Sequence, residues 1–259
     1  MVDSLDRLAR DALDTISNGY YEVPYDVAFN DIISLKDSLI HARGNPIIAE
    51  IKPASPSIGE IRKNIDSTRL AEVMIRGGAS GLSVLTEPKH FNGSIGYLSE
   101  IRRLSSHPIL MKDFILAEEQ VKAASNLGAS AILLIYSLFE RDYSNIELYE
   151  MIKLAHGKGL EVLLETHSVE EFKEGIQTEA DLIGINNRDL RSLKTDIRLT
   201  ESILSQVKKE DKFVVSESGI KSADDIRLLR GCGADAFLVG SSIMESHDPE
   251  LKVRELVNA

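Results

Sequence analysis

The chain has 259 residues, 43% of them hydrophobic, and its 41 acidic residues outnumber 30 basic residues, which gives a net charge of −11. This length suits one α/β barrel, and the acidic balance argues against nucleic acid or an anionic membrane as a partner, because both attract a basic surface. The single cysteine, Cys232, excludes an internal disulfide and a thiolate metal cluster, and we interpret it as a small structural residue.

The N-terminus does not resemble a targeting or membrane segment. The stretch MVDSLDRLARDAL lacks the basic start and apolar core of a signal peptide. The longest mostly apolar stretch, residues 129–139, is too short to cross a bilayer. We therefore expect a soluble, cytoplasmic protein.

Residues 1–45 precede the first predicted strand and carry helical patterns. Leu5, Leu8, Ala12 and Ile16 have the spacing of one helix face, and a second apolar pattern runs through residues 32–40. We expect this segment to be a helical extension packed on the rest of the chain. The predicted organisation is one domain over residues 1–259, with the extension at 1–45 and a barrel at 46–259.

A repeated phrase organises the remainder of the chain. Four segments share Gly-Ala-Ser/Asp, or a close variant, followed by an apolar run; they are residues 77–86, 127–136, 178–186 and 232–240. Glycine at 78, 128 and 233 ends a helix in the left-handed conformation before a buried strand, and Glu179 takes the corresponding place in the third segment.

Between these strands lie four more, predicted at residues 46–52, 108–113, 161–166 and 212–217. Helical patterns separate the strands; Leu70, Val73 and Met74 form one apolar stripe, and Ser222 is a predicted helix cap. Eight β-then-α units predict a (β/α)8 TIM barrel, and near-continuous apolar strands fit a parallel sheet covered by helices. A doubly wound open sheet is the alternative, because strand number alone does not establish closure.

Charged and amide side chains stand at the carboxyl ends of these strands, where such barrels place their chemistry. Alternation along the first strand aims Glu50 and Lys52 to the same face as Ile48, which predicts that they point into the barrel. The later strands add further polar residues, namely Lys112, Glu165, Asn186 and Glu217, with Arg188 following the sixth strand. These residues could instead form structural salt bridges that fill the end of the barrel. This alternative is less favourable, because removing so many charged groups from water costs free energy.

Other polar residues near the strand ends have a supporting or structural interpretation. We expect Asp113 and Asp189 to act behind the site or in loops. We interpret His167 as a surface residue, and the six histidines are scattered without ligand spacing, so no metal is predicted.

Two glycine-serine phrases predict an anion site. ESGI (217–220) follows the seventh strand and VGSS (239–242) the eighth, where backbone N–H groups of Gly219, Gly240 and Ser241 would cradle a phosphate. Ordinary turn chemistry is the alternative for either phrase alone. Ser55, in the loop after Lys52, is expected to help close the pocket.

Six motifs together resemble the indole-3-glycerol phosphate synthase family of tryptophan biosynthesis. They are AEIKPASPS (49–57), FNGS (91–94), ILMKDFI (109–115), IGINNRDL (183–190), ESGI and FLVGSSIM (237–244). The resemblance covers almost the whole chain. It implies a carboxy-lyase that closes a ring, with decarboxylation and dehydration, and needs no cofactor.

The resemblance also implies roles for single residues. Lys112 resembles the general acid, Glu165 the acid/base partner of the dehydration, and Lys52 the lysine that faces the substrate carboxylate. Glu50, Asn186 and Glu217 resemble residues that orient the substrate hydroxyls and Lys112, and Arg188 lies near the anthranilate carboxylate. Ser55, Ser218, Gly219, Gly240 and Ser241 map to the phosphate end, and Phe91, Phe114 and Leu133 to the apolar walls.

Elementary acid–base chemistry agrees with these roles. Lysine, with a reference pKa near 10.4, is protonated at neutral pH and serves as an acid without a large shift. Glutamate is a ready base, and a base-then-acid cycle at Glu165 would need its pKa raised by burial or by neighbouring carboxylates.

Small departures from the family pattern concern loops. Pro53-Ala54 replaces a more basic pair, Ile58 stands where a lysine is common, and LLETHS (163–168) is a variant around Glu165. Three alternatives stay open: a phosphoribosylanthranilate isomerase-like enzyme, a Schiff-base lyase using Lys112, and a non-catalytic phosphate-binding barrel. The isomerase reaction requires an acid/base residue at the end of the sixth strand, where this chain has Asn186. Association with other tryptophan-pathway enzymes is a further possibility that the family suggests.

Overall fold

The computed structural model describes residues 3–23, 32–189 and 192–259. Residues 24–31 of the predicted extension and Leu190 of the motif IGINNRDL lie outside the described residues. The strands are β1 (Ile47–Ile51), β2 (Ala54–Ser55), β3 (Gly59–Glu60), β4 (Gly81–Leu85), β5 (Ile109–Lys112), β6 (Ala131–Ile135), β7 (Glu161–Thr166), β8 (Leu182–Asn186), β9 (Phe213–Glu217) and β10 (Ala236–Val239). The helices are α1 (Ser4–Ser17), α2 (Leu35–Ile40), α3 (Ser67–Arg76), α4 (Ile95–Leu104), α5 (Glu118–Asn126), α6 (Tyr136–Glu140), α7 (Leu148–Gly157), α8 (Val169–Gly175), α9 (Arg198–Gln206), α10 (Ala223–Gly231), α11 (Ser241–Met244) and α12 (Pro249–Val257).

Within the described part of the chain, eight parallel strands close into a barrel in the order β1-β10-β9-β8-β7-β6-β5-β4. Strand β1 completes the ring by pairing with both β4 and β10, so that Ile48 lies opposite Gly81 on one side and Leu238 on the other. The remaining strands, β2 and β3, form a short antiparallel hairpin after β1. The predicted (β/α)8 barrel is confirmed, and the open-sheet alternative is wrong.

The barrel strands are buried on both faces because helices cover the outside and side chains fill the inside. Ile47, Ala49 and Ile51 join the hydrophobic cluster shared with the helices, whereas Ile48 joins the cluster inside the barrel. Burial of each of these isoleucine side chains stabilises the folded state by about 1.5–3 kcal/mol relative to leaving it exposed to water. The alternation also turns Glu50 inward beside Ile48, which confirms the orientation predicted for the first strand.

The glycines of the repeat end their helices as expected. Gly78, Gly128 and Gly233 have φ values of 100°, 79° and 103°, in the left-handed region that favours glycine. The third unit differs because α8 already ends at Gly175, and Glu179 has no positive φ.

The two described helices of the N-terminal extension pack against opposite ends of the barrel. In α1, which begins with a capping box at Asp3, Leu5 and Leu8 are buried, and Leu8 reaches the cavity at the carboxyl ends of the strands. Helix α2 lies at the opposite end, where the backbone N–H of Leu35 donates to the Glu161 carboxylate at the start of β7. Among the described residues, no helix is long and apolar enough to span a bilayer.

Candidate active site

The carboxyl ends of the strands surround a cavity of about 470 Å³. Most predicted site residues line it: Glu50, Lys52, Ser55, Phe91, Lys112, Phe114, Leu133, Glu165, Asn186, Arg188, Ser218, Gly219, Gly240 and Ser241. Glu217 lies just behind this lining and is fully buried. The fold therefore gathers the predicted residues in one place, as parallel strands of a barrel require.

Lys112 is the centre of the charged cluster. Its Nζ lies 2.6 Å from Glu217 Oε2, 3.6 Å from Glu165 Oε2 and 3.7 Å from Glu50 Oε2. Burial alone would lower the pKa of Lys112, but the three carboxylates outweigh it and raise the pKa well above the ordinary lysine value. The ammonium form of Lys112 is therefore the resting form.

Lys52 and Glu50 form a second ion pair at the end of β1. Lys52 Nζ donates to Glu50 Oε1 at 2.6 Å, and Ser83 Oγ donates to Glu50 Oε2 at 3.5 Å. Burial disfavours ionisation of Glu50, yet the charges of Lys52 and Lys112 prevail and lower its pKa. Glu50 thus bridges the two lysines as a carboxylate.

The pKa values of Glu165 and Glu217 are shifted in opposite directions although both side chains contact Lys112. Burial opposes ionisation of Glu165, but Lys112 and His167 lower its pKa to about 2. Burial raises the pKa of Glu217 to about 7, against the opposing effect of Lys112, and Glu217 Oε1 has no hydrogen-bond partner among the described residues. Burial acts upward on the pKa of both groups, but the net pKa is raised only at Glu217, whereas the base-then-acid cycle would need a raised pKa at Glu165.

The prediction that His167 is a surface residue is wrong. Its side chain is only 11% exposed, and its Nε2 lies 3.1 Å from Glu165 Oε1. Burial would lower the pKa of His167, but contacts with Glu165 and Glu171 raise it to about 9. No periodic pattern predicts the burial of this position, because His167 follows the end of β7 and is shielded partly by α8.

The end of the cavity at which the sequence predicts an anion site combines unusual backbone geometry with a helix start. Ser218 and Gly219 have consecutive positive φ values of 67° and 83°. Helix α11 begins after Gly240, so its first N–H groups lack intrahelical acceptors. Lys221, one residue beyond the ESGI motif, also lines this end and was missed by the sequence reasoning.

Arg188 reaches across the cavity mouth toward the loop after β1. Its guanidinium donates to Ser57 Oγ and, at 3.4 Å, to the Leu193 carbonyl. Ser57 Oγ in turn lies 3.4 Å from Ser55 Oγ. Ile58 also lines the cavity, so this loop presents an apolar side chain there.

The apolar wall contains Phe91 and Phe114, with ring centroids 6.1 Å apart. Glu87, which was not predicted as a site residue, fixes the position of Phe91. Its carboxylate accepts hydrogen bonds from the backbone N–H groups of Lys89, His90 and Phe91 at 2.7–3.0 Å. Leu8 adds to the lining from α1. An apolar wall beside a cationic and an anion-binding end suits an aromatic ligand that carries negative charge.

The two aspartates that follow strand-end residues have supporting positions. Asp113 is buried and accepts hydrogen bonds from Tyr21, from Thr86 and from the backbone of Phe114. Asp189 shapes its loop, with its backbone N–H donating to the Lys194 carbonyl at 2.9 Å. Among the described residues, no three His, Cys, Asp or Glu side chains are grouped as metal ligands.

Comparisons with known proteins point to one family. A family model described as indole-3-glycerol phosphate synthase matches residues 10–256. A curated relative of that name from Carboxydothermus hydrogenoformans is 44% identical over 220 residues, which is 84% of this chain and 82% of the relative. Another, from Methanocaldococcus jannaschii, is 46% identical over 215 residues, or 82% of this chain and 78% of the relative.

Likeness to solved structures concerns the fold alone. Thiamine phosphate pyrophosphorylase from Pyrococcus furiosus superposes with a TM-score of 0.59 at 18% identity, covering 86% of this chain and 96% of that one. An N-acetylmannosamine-6-phosphate 2-epimerase from Clostridium perfringens gives the same TM-score at 15% identity, covering 84% and 93%.

Proposed function

Since this chain belongs to the indole-3-glycerol phosphate synthase family, we propose that it converts 1-(2-carboxyphenylamino)-1-deoxyribulose 5-phosphate into indole-3-glycerol phosphate, CO2 and water. The observation that carries this proposal is the Lys112 ammonium, held among the carboxylates of Glu50, Glu165 and Glu217 at the cavity. A protonated lysine surrounded by carboxylates is suited to acid–base chemistry without a cofactor.

The first step needs an acid, and Lys112 supplies it. The aryl carbon that carries the carboxylate attacks the ribulose carbonyl carbon, and the electron pair of the C=O bond moves to oxygen. The resulting alkoxide is a stronger base than an amine, so it takes a proton from Lys112 despite the raised lysine pKa. The C–CO2 bond then breaks, and its electron pair restores the aromatic ring as CO2 leaves.

The dehydration step needs a base and an acid, and Glu165 serves there. The new hydroxyl leaves with a proton as water, while the carbon that was C1 of the ribulose chain loses a proton. Glu165 rests as a carboxylate and accepts that proton. Once Lys112 has given up its proton, the charge that most lowers the pKa of Glu165 is gone, so the carboxylate becomes a better base and its protonated form returns the proton to the departing hydroxyl.

The remaining residues bind and orient the substrate. Lys52 and Arg188 supply positive charge for the anthranilate carboxylate, and Glu50, Asn186 and Glu217 hold Lys112 and the substrate hydroxyls. Ser55, Ser218, Gly219, Gly240 and Ser241 receive the phosphate. The side chains that pack against the aromatic ring are Phe91, Phe114 and Leu133. Although the protein is acidic overall, it can bind an anionic substrate because Lys52 and Arg188 concentrate positive charge at the cavity.

The proposed reaction is tested by mixing purified protein with the carboxyphenylamino-deoxyribulose phosphate and following indole fluorescence and CO2 release. The chain has no tryptophan, so the product signal stands clear of the protein. We expect equal amounts of indole product and CO2, and no conversion of phosphoribosylanthranilate. Conversion of phosphoribosylanthranilate alone would favour the isomerase, and phosphate binding without any turnover would favour a non-catalytic barrel. A cytoplasmic location and association with other tryptophan-pathway enzymes stay predictions.

A further inference from the structure

His167 lies beside Glu165 with most of its side chain shielded from solvent. Its Nε2 lies 3.1 Å from Glu165 Oε1, and its Nδ1 lies 3.4 Å from Glu171 Oε2 on α8. The residues that line the cavity include Glu165 but not His167. The imidazole therefore contacts the glutamate without reaching the space where substrate binds.

The contacts of His167 with these two side chains are between opposite charges. Its two ring nitrogens each lie within ion-pair distance of a carboxylate oxygen, one on Glu165 and the other on Glu171. The backbone N–H of His167 donates to Glu171 Oε2 at 2.7 Å, which fixes Glu171 next to the ring. A buried imidazole between two carboxylates is stabilised as a cation.

Other titratable and polar groups surround His167 and Glu165 and influence their charge states. Lys112 from β5, Asn186 from β8, Glu50 from β1, Glu217 from β9, Glu171 from α8 and Tyr136 at the start of α6 are the titratable or polar groups around it. Lys112 and His167 are the two cations next to Glu165, and they approach its two carboxylate oxygens separately, at Oε2 and Oε1.

We propose that His167 is a positioning residue: as an imidazolium supported by Glu171, it keeps Glu165 ionised and orients its free oxygen toward Lys112 and the substrate. This inference rests on the proposed role of Glu165 as acid/base partner. The opposite pKa shifts of the two groups agree with it, since the pKa of His167 is raised to about 9 and that of Glu165 is lowered to about 2. Both groups are therefore charged at neutral pH.

The coupling is measured by NMR titration of the histidine ring protons. We expect one of the six histidines to titrate near pH 9 and its signal to be absent in His167→Gln. Because coupling is reciprocal, Glu165→Gln should lower that pKa by about 1–3 units. Glu171→Gln should also lower it while retaining an oxygen for the backbone N–H of His167.

Activity supplies the second readout. We expect His167→Gln to lower kcat about tenfold, as loss of an orienting partner typically does, with KM unchanged because His167 does not line the cavity. Its activity relative to wild type should fall further toward low pH, since removing the cation moves the pKa of Glu165 up by about 1–3 units. The matched control is His156→Gln, which removes a half-exposed histidine 2.9 Å from Asp181 and should behave as wild type.

Two results separate this inference from the proposed function. If Glu165→Gln retains the wild-type kcat, the role assigned to Glu165 is wrong. If Glu165→Gln is inactive while His167→Gln keeps the wild-type kcat and pH profile, only the inference about His167 is overturned. A His167 titration at or below the ordinary histidine value would overturn it as well, and this measurement on the wild-type protein needs no folded His167 variant.

Discussion

Gly184 makes room for the buried carboxylate behind Lys112. A methyl group at this position would overlap Glu217 Oε1, and the same methyl would lie 3.4 Å from the Glu165 backbone. At Gly240, a methyl would likewise overlap Glu50 Oε1 and approach Lys52 Nζ to 2.9 Å. Neither glycine has a positive φ, so space rather than backbone conformation requires them.

Gly184→Ala should therefore move Glu217 and, through it, Lys112. Misplacement of reacting groups by about 1 Å costs up to about 100-fold in rate, so we expect kcat to fall between tenfold and 100-fold. The control is Gly231→Ala at the end of α10, where a methyl meets nothing within 4 Å. Steady-state kinetics of both variants make the comparison; equal kcat values would show that Glu217 has room to adapt.

The side-chain directions of the first strand were predictable, whereas the charge states of the site were not. Strand alternation alone aims Glu50 into the barrel, and the structure confirms it. Burial raises the pKa of Glu217, whereas Lys112 from another strand, together with His167 two positions along the chain, outweighs burial and lowers the pKa of Glu165. The sequence contains these residues, but the burial of the carboxyl groups and the approach of Lys112 depend on closure of the barrel.

Between elements, a buried hydrogen bond ties the segment after α1 to the residue that follows Lys112. Tyr21 is almost fully buried and donates its hydroxyl to Asp113 Oδ2 at 2.9 Å, with Tyr20 packed edge-on at a centroid distance of 4.9 Å. Burial raises the pKa of Asp113 to about 7, against the opposing effect of the Thr86 and Tyr21 hydrogen bonds. The N-terminal segment thus supports the end of β5.

Tyr21→Phe should lower the free energy of unfolding by about 1–3 kcal/mol, because it leaves a buried carboxylate short of a donor. The raised pKa means that Asp113 is ionised in the folded state only above about pH 7, so the loss should be larger at pH 8 than at pH 6. Urea denaturation at both values measures it. Lys89→Ala, which removes a partly exposed ion pair between Lys89 and Asp14 of α1, should cost no more than about 1 kcal/mol. An equal loss in the two variants, or none at pH 8, would contradict this account.

Sequence patterns predicted the positions of most strands and helices. The elements that were not predicted are very short. The predicted strand at 161–166 matches β7, and those at 46–52, 108–113 and 212–217 exceed β1, β5 and β9 by one or two residues. The β2–β3 hairpin was interpreted as a loop and the short helix α11 was not predicted as a separate element, because elements of two to four residues carry no measurable periodicity.

The molecule as a whole closes by joining the beginning and end of the described barrel. Asn45, just before β1, donates through Nδ2 to the carbonyls of Leu256, Val257 and Ala259, and its Oδ1 accepts from Arg230. Closure depends on such contacts between distant residues, which is why the sequence predicted eight units but left an open sheet as an alternative. Closure is also what brings Lys112 within 2.6 Å of Glu217, 105 positions away in sequence.

Closure of the barrel places Lys112 among three glutamates, and we propose that Lys112 is the acid of ring closure. The most direct measurement is single-turnover formation of indole product by wild type, Lys112→Ala and Lys122→Ala, the last removing an exposed lysine that pairs with Glu118 on α5. We expect Lys112→Ala to slow product formation by at least about 100-fold, the lower range for one general acid, and Lys122→Ala to match wild type. Product formation by Lys112→Ala at the rate of the control would contradict the account.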